Sequence, residues 1–216
     1  MKKFFTLIAA VAMAASVNAQ STEWNFSGWE DATFSENTTI DGLTIYANDD
    51  KPVSIDGSKK TVDDVTYTKR LKLGGSGAVA DLTALNRVLE FNATGPGDIY
   101  VVAAHASSSG DPRTLKFDAV VDDAAANFAE VSFEAKECKS ATVKYTGSAT
   151  KILVYSGKSG INIYDIKYTP SSATGITNVN ASAVAADAPV YNLAGQKVSA
   201  SYKGIVIKNG KKFLNK

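Results

Sequence analysis

The sequence predicts an all-β protein: an antiparallel β-sandwich of the jelly-roll type, followed by a small C-terminal β-hairpin or three-stranded segment. Most of the chain consists of short segments that are rich in β-branched and aromatic residues and that alternate apolar and polar positions. No stretch has the 3.6-residue apolar period of a core-facing helix. Many strands at regular spacing without intervening helices are typical of sandwiches and jelly rolls.

These alternating segments place the strands of the body at residues 22–26, 43–47, 67–73, 87–92, 98–105, 113–120, 129–133, 141–145, 151–156 and 161–168. Stretches rich in glycine, proline and serine mark the turns at residues 74–77, 95–98, 107–112, 147–148 and 157–160. The most helix-like stretch, residues 122–128, is short and Ala-rich. We expect a loop or a single turn there.

The N-terminal segment has the organisation of a secretory signal peptide. Lys2 and Lys3 precede an apolar run over residues 4–15, and Val17 and Ala19 place small residues before a cleavage point at Gln20. The run is shorter than the roughly 20 apolar residues that span a bilayer. No cysteine follows it, so a lipoprotein anchor is not indicated. We therefore expect residues 1–19 to be removed and the protein to be secreted or placed at the cell surface, with the periplasm as the alternative.

Charge and cysteine content exclude several classes of function. Without Lys2 and Lys3, 21 Lys and Arg remain against 22 Asp and Glu, a net charge near −1. Such a balance does not favour nucleic-acid binding. Cys138 is the only cysteine, which excludes an intrachain disulfide and a CxxC redox pair. A cysteine nucleophile would need a histidine partner, and His105 is the only histidine.

The composition changes after the last predicted body strand. Residues 170–188 are small and polar, as in a linker. Residues 189–216 contain very short strands at 190–193, 196–198, 204–208 and 211–214, around the pairs Ala194-Gly195 and Asn209-Gly210. Asn-Gly is a strong hairpin signal. A block this small buries little core by itself.

Two resemblances follow from these blocks. The tail sequences PVYNLAGQKV and KGIVIKNGKK resemble the C-terminal segments of exported Bacteroidetes proteins that are related to type IX secretion sorting domains, although Val206 stands where tyrosine is usual. The body, residues 20–169, resembles the carbohydrate-binding-module-like jelly rolls that accompany pectate lyases and other polysaccharide-degrading enzymes. The segments that carry this second resemblance are WNFS, DGLTI, YTKRLKLGGSG, RTL and GINIYDI. It implies a sugar-binding accessory module.

Cationic residues end the apolar faces of several predicted strands. If strands 87–92 and 98–105 form one hairpin, and strands 98–105 and 113–120 the next, then Arg87, His105 and Arg113 cluster at one end of a sheet. A one-residue slip would reverse this. Bidentate cations suit a carboxylated sugar such as galacturonate. Lys69 is a further candidate. The alternative is that these arginines are strand-terminal residues with solvated head groups.

Aromatic side chains offer a second way to bind sugar, because flat rings stack on pyranose faces. Trp29 lies in a loop-like stretch and Tyr155 ends a strand beside a Gly-rich loop, and both are candidates. Their alternative role is edge packing. The resemblance to sugar-binding jelly rolls also implies a structural Ca²⁺ between the first and last strands, with Asp165 and either Glu23 or Glu30 as oxygen ligands.

The sequence thus predicts an exported, non-catalytic, monomeric module that binds a polysaccharide or oligosaccharide of the acidic, pectin type, with no cofactor other than structural calcium. It predicts no nucleic-acid partner and no membrane span. A structural or adhesive surface protein that binds another protein is the alternative. A polysaccharide lyase is the weakest interpretation, since a lone histidine and scattered acids form no convergent catalytic set.

Overall fold

The structure is a computed structural model that describes residues 20–171, 190–192, 194–199, 202–208 and 211–215. The chain divides into two compact units, Met1–Ser172 and Ala173–Lys216, and each is described by itself. The predicted signal peptide, most of the predicted linker, and the Asn209-Gly210 turn lie outside the described residues. No helix among the described residues is long and apolar enough to cross a membrane.

The first unit is built from strands joined by turns and one short 3₁₀ turn, Phe26–Gly28. The strands are β1 Thr22–Asn25, β2 Ala32–Phe34, β3 Thr38–Ile40, β4 Leu43–Tyr46, β5 Val53–Val62, β6 Val65–Lys72, β7 Val88–Ala93, β8 Gly97–His105, β9 Arg113–Val121, β10 Ala124–Phe133, β11 Cys138–Tyr145, β12 Thr150–Ser156 and β13 Ile161–Pro170.

Two antiparallel sheets face each other across the core. Sheet A is seven-stranded in the order β11-β8-β13-β6-β5-β2, with β1 paired to β13, and sheet B is six-stranded in the order β10-β9-β12-β7-β4-β3. From β7 onward the chain passes repeatedly from one sheet to the other, as in a jelly roll. The predicted fold class, an antiparallel β-sandwich, is confirmed.

Two local predictions and one pairing prediction are wrong. The expected loop at residues 122–128 is a two-residue turn, Asp122-Asp123, followed by strand β10. The strands β2 and β3 were not expected because each is only three residues long, and the long strand β5 was not expected because its sequence is rich in serine and lysine. The expected hairpins β7–β8 and β8–β9 do not exist, since β8 pairs with β11 and β13 in sheet A while β7 and β9 belong to sheet B.

Large apolar side chains from both sheets fill the space between them. Trp24 packs on Phe91 with ring centroids 5.1 Å apart, and Phe91 packs on Tyr168 at 5.8 Å. Phe117 and Phe133 are also fully buried in this core. This buried apolar area is the main stabilising contribution to the sandwich.

The β5–β6 hairpin folds over the outer face of sheet A. Near its base, β6 pairs with β13 through Leu71 and Lys72, and a bulge follows between Gly57 and Lys60 of β5. At its tip, the Oδ2 atom of Asp63 accepts a 2.5 Å hydrogen bond from Ser140 on β11. Because β8 and β13 separate β11 from β6, the hairpin must cross the outer face of both strands.

A long connection covers the outer face of sheet B. Residues between β6 and β7 place Leu82 and Leu85 over the outer face, against Val88, Leu153 and Tyr155. Both sheets therefore have buried residues on their outer faces as well as in the shared core.

The second unit is a small antiparallel sheet in the order β15-β14-β16-β17, formed by β14 Val190–Asn192, β15 Lys197–Val198, β16 Gly204–Lys208 and β17 Lys211–Asn215. This corrects the expected hairpin or three-stranded segment. The turn after β14 is held by the Asn192 side chain, which accepts 3.0 Å hydrogen bonds from the N–H groups of Ala194 and Gln196.

Candidate functional site

A 3₁₀ turn after β1 positions Trp29. The Asn25 side chain accepts a 3.0 Å hydrogen bond from the N–H of Ser27, which caps the turn at its start. The N–H of Trp29 donates to the carbonyl of Phe26 at 3.1 Å and closes it. Trp29 then leaves the turn in an extended conformation, with its ring edge-on to Phe26 at 5.1 Å. The indole is half-buried and held in one place.

Trp29 lines an apolar groove of about 300 Å³ at the open side of the sandwich. The groove runs between β2, the edge strand of sheet A, and β3, the edge strand of sheet B. Phe34 and Ile40 supply the rest of its apolar lining, and Glu30 and Asp41 supply polar groups. An aromatic ring beside hydrogen-bonding groups is the composition of a small-molecule site.

Lys69 lies beside Trp29 but serves the loop that carries it. Its ammonium donates a 2.6 Å hydrogen bond to the Trp29 carbonyl and lies 3.2 Å from the Asp31 carboxylate. The side chain is about three-quarters buried. Lys69 is therefore a positioning residue for the groove in this structure, and direct ligand contact by it stays a prediction.

Arg87 and Arg113 lie at one end of the sandwich, as predicted, but the hairpins that were expected to bring them there do not form. Arg113 donates a 2.5 Å hydrogen bond to the Gly160 carbonyl. Gly160 adjoins Gly74, and the Arg87 guanidinium lies against Gly74 in turn. The shared end arises because β7, β9 and β13 all begin there. Arg87 has a left-handed backbone, with φ of 54°, and its buried Nε has no hydrogen-bond partner among the described residues.

His105 ends β8 near the same Gly160 and is 5% exposed. Its Nδ1 lies 2.7 Å from the carbonyl oxygen and 3.0 Å from the N–H nitrogen of Ser107. Its Nε2 lies 3.1 Å from the carbonyl oxygen of Asp111. Both ring nitrogens thus hold the loop between β8 and β9, and neither is directed at a ligand.

Tyr155 lies beneath the long connection that covers sheet B. It is 7% exposed, and its hydroxyl donates a 2.8 Å hydrogen bond to the buried carboxylate of Asp118. Burial, followed by this hydrogen bond, raises the pKa of Tyr155. A ring in this position presents no open face for a sugar, so Tyr155 has a packing role in this structure.

We expect Tyr155→Phe to lower the free energy of unfolding by about 1–3 kcal/mol, because the buried Asp118 oxygen loses its partner. Glycan retention should be unchanged. Urea unfolding and affinity electrophoresis measure the two effects. Loss of glycan retention in a folded Tyr155→Phe protein would instead support the ligand role that the sequence predicted.

The three predicted calcium ligands do not form one site. Glu23 pairs with Lys167 at 3.1 Å, and Glu30 lies 4.0 Å from Lys69. Asp165 is 4% exposed, and burial, with a smaller contribution from the charge of Glu23, raises its pKa to about 7. Within the described residues, no three His, Cys, Asp or Glu side chains are placed to hold a metal ion. A structural calcium at Asp165 with Glu23 or Glu30 stays a prediction.

Phe34 and Ile40 are the groove residues that the sequence analysis missed. Their strands are only three residues long and otherwise consist of alanine and threonine. The alternation of Ala32 and Phe34 was the available signal, but three residues are too few to establish a period of two.

The matches of this chain to known proteins are to solved structures. No protein-family model matches the chain, and no curated protein matches its sequence. The solved structures that it resembles include carbohydrate-binding modules. The CBM36-1 domain of a multidomain xylanase from the hindgut metagenome of Trinervitermes trinervoides is 8% identical, with a TM-score of 0.37, and the match covers 73% of this chain and all of that domain.

The CBM22-1 xylan-binding domain of Paenibacillus barcinonensis Xyn10C is 14% identical, with a TM-score of 0.39 and coverage of 66% of this chain and 96% of that one. The isomalto-dextranase of Arthrobacter globiformis T6, complexed with panose, is 14% identical, with a TM-score of 0.36 and coverage of 69% of this chain. This chain spans only 23% of that enzyme's length. Function is therefore inferred from the residues of the site.

Proposed function

We propose that this protein is an exported, non-catalytic glycan-binding module whose ligand is an acidic, pectin-type polysaccharide. The observation that carries the glycan-binding part of the proposal is the apolar groove along Trp29, Phe34 and Ile40, with Glu30 and Asp41 at its polar side. The acidic class of the ligand rests on the resemblance in sequence. Export is the sequence-based part of the proposal and rests on residues 1–19.

Binding in this groove combines two kinds of contact. The indole of Trp29 provides a flat surface for the apolar face of a pyranose ring. The Glu30 carboxylate is solvent-exposed and is placed to accept hydrogen bonds from sugar hydroxyls. Because Phe26 and Lys69 hold Trp29 in position, little side-chain entropy is lost on binding.

Three of the ionisable groups, His105, Asp165 and Lys69, are not free for acid–base catalysis in the groove, where Glu30 and Asp41 are the carboxylates. General acid–base catalysis needs a group within hydrogen-bond reach of the substrate. Both nitrogens of His105 are occupied by backbone groups, and Asp165 is buried away from the groove beside Tyr67 and Glu23. Lys69 is engaged by Trp29 and Asp31.

Trp29→Ala should weaken glycan retention in affinity electrophoresis about tenfold or more, since the loss of buried aromatic area costs at least ~1.4 kcal/mol. Trp29→Phe keeps a ring and should retain part of the affinity. Val65→Ala removes an exposed apolar residue at the hairpin tip and serves as the control. Thermal melting of each variant verifies that it is folded.

The groove would not be the binding site if Trp29→Ala and the unchanged protein retained polygalacturonate, or neutral xylan, equally. If the protein retains no glycan, the alternative of a protein-binding surface module gains support. A rise in unsaturated-uronide absorbance on incubation with polygalacturonate would overturn the non-catalytic assignment.

A further inference from the structure

A second cavity, of about 200 Å³, lies on the outer face of sheet A where β8 and β13 meet the loop after His105. The side chains of Lys60, Arg70, Lys136, Asn162 and Tyr164 line it. Ser107 and Ser108 complete the rim. None of these side chains belongs to the groove of Trp29.

The lining is cationic and contains no carboxylate. Arg70 shares the Asp56 carboxylate with Lys72: its oxygens lie 2.7 Å from Arg70 Nε, 3.5 Å from Arg70 Nη2 and 3.1 Å from Lys72 Nζ. The ammonium groups of Lys60 and Lys136 make no ion pair with any of the described residues. Two positive charges at the cavity are therefore uncompensated, an arrangement that attracts an anion.

Backbone and side-chain contacts hold the lining of this cavity in place. Lys60 follows the β5 bulge that directs the hairpin over sheet A. Lys136 sits in a tight turn with φ of 70°, and its N–H donates to the carbonyl of Ser107 at 3.2 Å. Tyr164 is fully buried, and its hydroxyl lies 3.0 Å from the Ser58 hydroxyl. The Ser107 loop is held in turn by the ring of His105.

We propose that this cavity binds the carboxylate of one uronate-type sugar residue. The inference deepens the proposed function and rests on it for the class of ligand. The cavity is smaller than the roughly 300–1,000 Å³ typical of drug-sized ligands, so it fits a single sugar ring. Lys60 and Lys136 supply charge for the carboxylate, and Asn162, Ser107 and Ser108 supply groups for hydroxyls.

The test is a titration of the ¹⁵N-labelled full chain with D-galacturonate, and with D-galactose as the neutral match. Galacturonate should shift the amide signals of Ser107, Ser108 and Lys136, and galactose should bind at least about tenfold more weakly. Equal shifts from both sugars, or no shift from galacturonate, would overturn the inference. Equal shifts from sodium sulfate would show an adventitious anion site and would also overturn it.

A charge-matched pair of double variants locates the effect. Lys60→Ala with Lys136→Ala should weaken galacturonate binding about tenfold or more. Lys59→Ala with Lys144→Ala removes the same charge from residues that do not line the cavity, and it should have little effect. Equal losses in both double variants would show a general charge effect and would contradict the inference.

Failure of this inference and failure of the proposed function give different results. If galacturonate shifts no cavity amide but Trp29 is still needed for glycan retention, the cavity inference fails alone. If no glycan is retained but galacturonate shifts the cavity amides selectively, the glycan-module proposal fails and the carboxylate site stands.

Discussion

Asp165→Asn is expected to raise the free energy of unfolding near pH 8 by roughly 2–4 kcal/mol. Folding raises the pKa of the Asp165 carboxyl from 3.8 to about 7, and this is the order of the free energy that such a shift costs at that pH. Asp165 lies on β13 beneath the β5–β6 hairpin, and its buried Oδ1 atom has no hydrogen-bond partner in the part of the chain that the structure describes. Burial disfavours its charged form most, followed by the negative charge of Glu23. Lys167, the N–H of Ile166 and the Tyr67 hydroxyl oppose the shift.

The pH dependence has a definite sign. The pKa of Asp165 is about 7 in the folded protein and near 3.8 in the unfolded chain, so between these values the folded state binds more protons. Stability contributed by the protonated group is therefore complete below about pH 4 and is lost as the pH rises to about 7. Asparagine cannot ionise, so the variant should lack this decline.

Urea unfolding between pH 4 and 8 measures this effect, and Asp98→Asn is the control. Asp98 is an exposed carboxylate on the neighbouring strand β8, paired with Lys144 at 2.9 Å. The Asp98→Asn variant should still lose stability between about pH 4 and 7, because exposed ion pairs contribute only about 0–1 kcal/mol. Parallel pH profiles for Asp165→Asn and the unchanged protein would contradict the assignment of the decline to Asp165.

Gly97→Ala is expected to lower the free energy of unfolding by about 3 kcal/mol, the upper range for overpacking a buried site. Gly97 begins β8 between Tyr145 of β11 and Pro170 of β13. A Cβ at this position would lie 2.6 Å from both the Thr169 carbonyl oxygen and the Tyr168 ring. The oxygen belongs to the backbone of a central strand, so relief requires the sheet itself to shift.

Gly57→Ala is the matched control for this change. A Cβ on Gly57 would have no atom within 4 Å, and its φ is not in the left-handed region. The control should be neutral or stabilising by about 0.4–1 kcal/mol, because alanine restricts the unfolded chain. Thermal unfolding of both variants gives the comparison, and a Gly97→Ala protein as stable as the Gly57→Ala protein would show that β13 accommodates the methyl group.

Local patterns in the sequence determined the class of the fold and most of its strands. Alternation with a period of two is a property of neighbouring residues, and it identified segments such as residues 113–120 and 161–168 as strands. The charge balance and the presence of a single cysteine can likewise be read directly from the sequence. These features needed no knowledge of which strand lies beside which.

The sites depended on the tertiary structure. Trp29 was visible as an exposed aromatic candidate, but Phe34 and Ile40 join it only because the edges of sheets A and B meet there. Lys60, Arg70 and Lys136 have no shared local pattern, and they meet because the β5–β6 hairpin folds across sheet A. The same fold buries Asp165 beneath the hairpin, near Tyr67 and Glu23.

The physical reason is the range of the interactions. A strand's period reports which of its faces is buried, whereas its partner is chosen by contacts between residues that are far apart in the chain. The predicted hairpin between β7 and β8 failed for this reason, since a tight turn after Ala93 is compatible with both a hairpin and a crossing to the opposite sheet. Packing of the whole core selected the crossing, and with it the positions of both sites.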